Sequence, residues 1–93
     1  MKYAVEYHAQ VVRDDITKLD RAVKTRIKRA VERKLMTRPE VFGIPLRHST
    51  GGHRKLRVGD YRVVFRIDGT KVKVIIIEHR SVIYKMLVRR LRG

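Results

Sequence analysis

The chain contains no cysteine and no tryptophan, and its 93 residues include only two prolines. Without cysteine the protein has neither a disulfide framework nor thiolate chemistry. No apolar run reaches the roughly 18–20 residues that a membrane-spanning helix needs. The first residues also lack the apolar stretch of a signal peptide. These absences predict a cytoplasmic protein.

Acidic residues are scarce as well, because nine Asp and Glu stand against 24 Lys and Arg, for a net charge of +15. This excess is far beyond what solubility requires. It predicts a polyanionic partner, which can be nucleic acid, an anionic membrane surface or an acidic protein. The length predicts one domain, residues 1–93, with a small hydrophobic core.

The sequence predicts neither a metal site nor a cofactor. The four histidines, His8, His48, His53 and His79, are scattered and lack the spacing of metal ligands. A glycine-rich phosphate loop is absent, and Gly51-Gly52 indicates only a turn. Paired carboxylates for acid–base catalysis are also missing from the basic segments.

Hydrophobic periodicity predicts a strand followed by two helices. Residues 2–7 alternate in polarity and are rich in Tyr and Val, which favours a strand. A short helix is predicted at about 9–19, and an amphipathic helix at about 21–36 with Asp20 as its N-cap. The outer face of the second helix is basic, and it is either a solvated surface or a second nucleic-acid contact. Its cations are Arg21, Lys24, Arg26, Lys28, Arg29 and Arg33.

The second half of the chain predicts a loop, three strands and a terminal helix. Residues 37–52 contain both prolines and lack periodicity, which favours a loop. Strands are predicted near 53–58, 61–67 and 71–78, and Ser81 is expected to cap a final short helix. The fold class is therefore α+β, and we expect the helices to pack on one face of a twisted antiparallel sheet.

Two short turns set the register of the predicted hairpins. A two-residue turn at Gly59-Asp60 places Arg57 opposite Arg62. Like charges directly across a sheet destabilise it. A fold that keeps such a pair is expected to use it to bind a polyanion.

A second turn at Asp68-Gly69 would place Arg66 opposite Lys71. This register gives the sheet one apolar face and one cationic face, and a slip of one residue would bury the cations. The apolar face comprises Leu56, Val58, Tyr61, Val63, Phe65, Ile67, Val72, Val74 and Ile76. The cationic face carries Lys55, Arg57, Arg62, Arg66, Lys71 and Lys73, interrupted by Val64, Ile75 and Ile77, which are expected to lie under a helix or loop.

A polar cluster, His79, Arg80 and Tyr84, follows at the end of the last strand and is expected near the mouth of the cationic face. Each residue has a structural alternative. His79 can bond to backbone, Arg80 can pair with Glu78 or a carbonyl, and Tyr84 can belong to the core. Arg62 has no acidic neighbour in the predicted ladder.

Three stretches of this sequence resemble the RelE/ParE toxin superfamily. They are Leu46-Arg47, the segment His53–Phe65 with Arg-Val-Gly-Asp-Tyr-Arg-Val at its centre, and the ending His79-Arg80-x-x-x-Tyr84. The predicted element order and the chain length agree with the superfamily. For the RelE-like branch, the resemblance implies a toxin that cleaves mRNA in the ribosomal A site through attack by the 2′-hydroxyl.

The resemblance also implies roles for individual residues. Arg62 would bind the scissile phosphate, Arg80 would serve the leaving group, and Tyr84 would stack on a base. Lys55 and Arg57 match an alternating basic pair, and Lys55 is the better candidate for the general base because arginine stays protonated in proteins.

His79 is a candidate acid. The expected partners are the ribosome, mRNA and an acidic, RelB-like antitoxin, without metal or cofactor. Three alternatives remain open, a ParE-like inhibitor of DNA gyrase, a non-catalytic nucleic-acid-binding module and a toxin-fold remnant without activity. The residues expected to contact RNA outside the catalytic group are Arg54, Arg66, Lys71 and Lys73.

Overall fold

A computed structural model of the protein describes residues 2–47 and 51–92, and it confirms the predicted α+β class and the order of the main elements. One sheet has the strand order β1-β5-β4-β3-β2, with β1 parallel to β5 and the other pairs antiparallel. The strands are β1 (Ala4–Tyr7), β2 (Ile44–Pro45), β3 (Arg54–Val58), β4 (Tyr61–Asp68) and β5 (Lys71–His79).

The long amphipathic helix forms as predicted. Helix α1 (Arg21–Ala30) continues into a π-helical turn (Val31–Leu35), and the carboxylate of Asp20 caps it by accepting the amide of Val23 at 2.9 Å. The first predicted helix is irregular. It contains a π-helical turn, Val11–Asp15, followed by a 3₁₀ turn, Ile16–Lys18.

The loop predicted at 37–52 is only partly a loop. It contains a short helix, α2 (Pro39–Phe42), and the edge strand β2, while residues 48–50, including His48, lie outside the described residues. Between these two elements, Gly43 is buried against the ring of Phe65, so that a side chain at position 43 would collide with the ring. The segment is therefore packed on the sheet.

The predicted turn at Gly59-Asp60 is confirmed. Arg57 lies opposite Arg62 across β3 and β4, and Gly59 has a φ of 60°, a left-handed conformation that favours glycine. The sheet thus holds two guanidinium groups on neighbouring strands, as the sequence predicts.

The predicted pairing of Arg66 with Lys71 is wrong. Residues Gly69-Thr70 form the turn, so Asp68 is the last residue of β4 and pairs with Lys71, while Arg66 lies opposite Lys73. Glycine again takes the first, left-handed turn position, with a φ of 61°. The shift of two residues keeps the cations on their predicted face.

A bulge then interrupts the ladder between β4 and β5. Val64 pairs with Ile76, but the next residue, Phe65, pairs with Val74, which makes Ile75 the extra residue. Because side chains alternate along a strand, the bulge reverses the faces of all later residues of β5 relative to the prediction.

This reversal corrects two expectations. Ile77 enters the core that the helices cover, whereas Ile76, predicted there, points to the other face. Glu78 is brought opposite Arg62, which the predicted ladder left without an acidic neighbour. The core beneath the helices contains Val11, Leu19, Ile27, Val31, Leu35, Leu56, Val58, Val63, Phe65, Val72, Val74 and Ile77.

The last helix, α3 (Ile83–Arg92), lies on the opposite face of the sheet and not with the other helices. Its residues Ile83 and Leu87 pack on Val64 and Ile76 in a second buried cluster. The expectation that Val64 lies under a helix is thus confirmed. Since Val64 stands between Arg62 and Arg66 on β4, α3 divides the cationic face into two ends.

A buried ion pair fastens α3 to the rest of the protein. Strand β1 ends opposite Val74, and beyond it the amide of Ile77 donates to Asp15 at 2.9 Å while the carbonyl of Ile75 accepts from Arg90 at 3.1 Å. Asp15 and Arg90 join each other through two contacts of 2.6 and 2.9 Å. The pair therefore takes the place of a neighbouring strand along this edge of β5.

Burial makes this ion pair a structural element. The Asp15 side chain is fully buried, that of Arg90 is 9% exposed, and hydrogen bonding to Asp15 raises the pKa of Arg90 above its ordinary value.

Among the helices of the described ranges, none has the length and apolar character to cross a membrane.

Candidate functional site

All the residues predicted to be catalytic surround one open depression of about 490 Å³. It lies at the end of the cationic face where β3 turns into β4 and where β5 leads into α3. Its lining residues are Lys55, Arg57, Arg62, His79, Arg80 and Tyr84, with Ser81 and Ile83. Residues up to 29 positions apart, from Lys55 on β3 to Tyr84 on α3, thus meet at a single place, and none of these described lining residues is acidic.

Two arginines lie side by side in the lining of the depression. Arg62 donates from Nη1 to the carbonyls of Gly59 and Tyr61, both at 2.9 Å, which fixes its guanidinium beside the turn. A guanidinium has five N–H donors, and these bonds use only Nη1. Arg57 is exposed directly across the ladder. The two side chains can therefore present several donors to one anion.

The acidic residue opposite Arg62 is directed elsewhere. The carboxylate of Glu78 lies 3.4 Å from Nζ of Lys18, and the side chain is only 13% exposed. Lys18 belongs to the 3₁₀ turn Ile16–Lys18 at the edge of the sheet, and Glu78 is not among the residues that line the depression. The carboxylate is therefore directed away from the depression.

Arg80 is held at the rim by the turn between β3 and β4. Its amide donates to the carbonyl of Asp60 at 2.7 Å, and its Nε lies 3.5 Å from the Asp60 carboxylate. Both side chains are more than 60% exposed, so this ion pair contributes little to stability. Asp60 is a turn residue as predicted, and it is the partner of Arg80 in place of Glu78, which the structural alternative named.

Tyr84 lies on the exposed side of α3 and contacts Lys55. The ammonium of Lys55 is 2.5 Å from the tyrosine hydroxyl but 5.3 Å from the ring centroid. The ammonium therefore sits at the hydroxyl end of the ring, and the flat faces stay accessible. Half of the tyrosine surface is exposed, so the alternative of a core tyrosine does not hold.

His79 is oriented by Ser81, the residue predicted to cap the last helix. The Nδ1 atom of His79 accepts the amide of Ser81 at 3.1 Å and lies 2.8 Å from its hydroxyl. An acceptor role at Nδ1 places the proton of the neutral ring on Nε2. The ring also meets Tyr61 edge-on, with centroids 5.5 Å apart. The structural alternative for His79, a bond to backbone, is thus present.

The other residues expected to contact RNA lie outside the depression. Arg54 donates to the carbonyl of Gly43 at 3.0 Å and to that of Glu40 at 3.3 Å, so it supports the α2–β2 segment. Lys71 and Lys73 each pair with a carboxylate, Glu6 and Asp68 respectively, at 3.2 Å. These contacts give three of the four residues partners within the protein.

Arg66, the fourth of them, is exposed at the far end of the cationic face. It affects a buried neighbour, because burial and the nearby charge of Arg66 lower the pKa of His53 below its ordinary value.

In the part of the chain that the structure describes, no group of three or more potential ligands could hold a metal ion.

Comparison with known proteins gives a consistent picture. A family model described as the ParE toxin of the type II toxin–antitoxin system parDE matches residues 5–84. The chain is 43% identical over 54 residues to Toxin RelE of Mycobacterium tuberculosis, a match that covers 56% of this chain and 56% of that protein. The matching region thus spans about half the length of this curated relative.

Solved structures share the fold over most of the chain. The toxin–antitoxin complex RelBE2 from M. tuberculosis matches with a TM-score of 0.77 and 29% identity, covering 87% of this chain and 94% of that one. A free variant of the E. coli toxin RelE gives 0.70 at 24% identity, covering 97% and 98%. The RelB–RelE complex of Methanococcus jannaschii gives 0.66 at 19%, covering 86% and 95%. The last two likenesses concern the fold alone.

Proposed function

The chain belongs to the ParE toxin family of type II toxin–antitoxin systems, and we propose that it is a ribosome-dependent endoribonuclease that cleaves mRNA in the A site. The observation that carries the proposal is the depression bordered by Lys55, Arg57, Arg62, Arg80 and Tyr84, without an acidic lining residue. A site of this kind binds a phosphodiester.

The proposed reaction is a transesterification within the message. The 2′-oxygen attacks the adjacent phosphorus, its proton passes to Nζ of Lys55 as the general base, and the bond from phosphorus to the 5′-oxygen breaks. The products are a 2′,3′-cyclic phosphate and a 5′-hydroxyl, whose proton is taken from water in the open depression. Arg57 and Arg62 bind the phosphate oxygens, where negative charge increases in the transition state.

The leaving 5′-oxygen is assigned to the rim of the depression. Arg80 stabilises its developing charge, and its exposed side chain is free to move because the contact with Asp60 is weak. The Nδ1 atom of His79 accepts the Ser81 amide, so this nitrogen is not available to donate to the leaving oxygen. This contact supports Arg80 over His79 in this role.

The exposed ring of Tyr84 provides a stacking surface for a base of the message. A stacked base and a bound phosphate fix only part of the strand. Positioning by the ribosome supplies the rest, so cleavage of free RNA should be weak.

The proposed partner in the cell is an acidic, RelB-like antitoxin in the cytoplasm. Two of the similar structures are complexes with RelB-type proteins. The charge of +15 favours a partner of opposite charge. The antitoxin would screen the cationic face and hold the toxin inactive.

The test is primer extension on translating ribosomes with added protein. The native protein should produce cuts at codon spacing. Arg62→Ala should lower the cleavage rate by about 10²–10³-fold, because it removes a preorganised donor to the phosphate. Arg80→Ala should act in the same direction. The matched control is Arg13→Ala, which removes an exposed arginine remote from the depression.

The circular dichroism spectrum decides how a loss is interpreted. Native spectra with lost cleavage support the assignment. Native spectra with full cleavage in both site variants would show that these arginines are not catalytic.

The name of the matching family favours a second candidate, inhibition of DNA gyrase. The same preparations should be added to a gyrase supercoiling reaction. Relaxed or broken DNA, without cuts in the message, would support the second candidate and exclude the first.

A further inference from the structure

A second cationic surface lies beside the depression, between α1 and the end of β3. It is a groove of about 880 Å³, and none of its lining residues is acidic. We call it the α1 groove. Its cationic lining residues are Arg21, Arg26, Arg29, Arg33, Lys34 and Arg57.

The arginines of the α1 groove are not used by the fold. Arg26, Arg29 and Arg33 follow one another at spacings of three and four along the helix, where like charges destabilise it. All three are exposed, and none forms an ion pair with an acidic residue among residues 2–47 and 51–92. Such an arrangement indicates a ligand that supplies the missing negative charge.

The α1 groove and the depression meet at the turn between β3 and β4. Arg57 lines both of them. Gly59 lies between two guanidinium groups, because Arg62 bonds its carbonyl and a Cβ placed on it would lie 2.7 Å from Nη1 of Arg26. One polyanion can therefore extend from the depression into the α1 groove without crossing a region that lacks cationic side chains.

The other lining residues disfavour a folded protein as the occupant. Between the arginines lie only small or short side chains, such as Ala22, Ala30 and Val58. Protein interfaces depend on central apolar or aromatic anchors. An open groove lined by guanidinium groups and without an aromatic side chain suits a phosphate backbone. Such a groove can bind the backbone whatever the base sequence.

We propose that the α1 groove binds the phosphate backbone of the same message strand whose scissile phosphate occupies the depression. The inference rests on the proposed function, since it extends the substrate site of that reaction. Binding along the groove would hold the strand in register with Arg57 and Arg62 and would add affinity for RNA longer than the depression can hold.

The test uses two pairs of substitutions on the same helix. Arg29→Gln with Arg33→Gln removes two cations from the α1 groove. Lys24→Gln with Lys28→Gln removes two cations at the same spacing on another side of α1, where these lysines border an apolar crevice with Tyr7. The two variants have equal net charge, so a general loss of attraction affects both alike.

Binding is measured by fluorescence anisotropy with 2′-O-methyl RNA, which lacks the attacking hydroxyl, at several salt concentrations. Oligonucleotides of about 4 and about 12 nucleotides bracket the usual range of single-stranded sites. For the longer RNA, the arginine variant should show a slope of log K against log salt reduced by about 1.4, which corresponds to two lost phosphate contacts. The lysine variant should keep the native slope, and the shorter RNA should bind equally to all three proteins.

A native slope in the arginine variant, or an equal reduction in the lysine variant, would overturn the proposal. An acidic protein segment would then be the better occupant of the α1 groove. This outcome is independent of the catalytic assignment, because Arg62→Ala is scored by cuts on ribosomes. Failure of the cleavage assay with the predicted slopes would refute the nuclease and leave the RNA groove in place.

Discussion

Arginine occurs in two opposite environments in this protein. The side chain of Arg90 is mostly buried and is bonded to both oxygens of Asp15. Arg57 and Arg62 lie at an open surface, side by side, and no carboxylate is among the residues that line it. Arginine stabilises the fold in the buried ion pair and destabilises it in the open pair. The buried ion pair is therefore part of the fold, whereas the open arginine pair can accept an anionic ligand.

The two environments also differ in what each guanidinium does for the backbone. Arg90 and Asp15 satisfy the carbonyl of Ile75 and the amide of Ile77 on an edge that β1 does not reach. Arg62 bonds two carbonyls of a turn that is already closed by its own ladder. Loss of the buried pair should therefore affect folding, and loss of the open pair should affect function.

The largest expected effect is that of Asp15→Ala. It leaves the charge of Arg90 buried and unpaired, which should lower the free energy of unfolding by about 3–5 kcal/mol. Urea denaturation followed by circular dichroism measures the change. In the double variant Asp15→Leu with Arg90→Met, the edge of β5 still lacks its partners, so about 1–3 kcal/mol of the loss should remain. A double variant as stable as the native protein would contradict the role of the pair along this edge.

A smaller effect is expected for Arg54→Ala, which tests a cation predicted to contact RNA. Its removal deprives the carbonyl of Gly43 of a charged donor and should cost about 1–3 kcal/mol of stability. Cleavage per folded molecule should stay near the native level, as judged by primer extension below the unfolding transition. Unchanged stability with reduced cleavage would show that Arg54 serves the reaction and not the fold.

The smallest effect, and one of opposite sign, is expected for Arg57→Thr. Removing one of two like charges across the ladder should raise stability by about 0.2–1 kcal/mol, while cleavage falls. The same denaturation and primer-extension measurements apply. A loss of stability would show that Arg57 has a structural partner and that the pair is not a cost to the sheet.

The local features of the site could be predicted from the sequence. The alternation around Gly59-Asp60 fixes the pairing of Arg57 with Arg62, because a slip would bury charge. The position of Asp20 before an amphipathic run likewise predicts the start of α1. These features depend on residues close together in the chain, and they bring the predicted catalytic residues to one place.

The features that could not be predicted depend on distant contacts. Ile75, Ile76 and Ile77 are all apolar, so their pattern hides the bulge that reverses the end of β5. The amphipathic pattern of α3 does not specify which face of the sheet it covers. Asp15 and Arg90 are 75 residues apart, and nothing local marks them as partners.

The segment between the π-helical turn Val31–Leu35 and β3 was missed for another reason. Its helix and strand have four and two residues, too few for a period to emerge. Proline is common at the first position of a helix, and Pro39 begins α2. This proline is the only signal of the helix that the sequence offered.

Helix α3 connects the two environments, because Tyr84 at the depression and Arg90 in the buried ion pair both lie on it. Its first turn carries Tyr84, whose hydroxyl contacts Lys55, and its last turn carries Arg90, which Asp15 holds at the edge of β5. The position of the Tyr84 ring therefore depends on a contact at the other end of the helix. A change that releases this contact, such as a fused tag or a protease cut, should displace Tyr84 and lower the proposed cleavage, although Arg57 and Arg62 stay where they are.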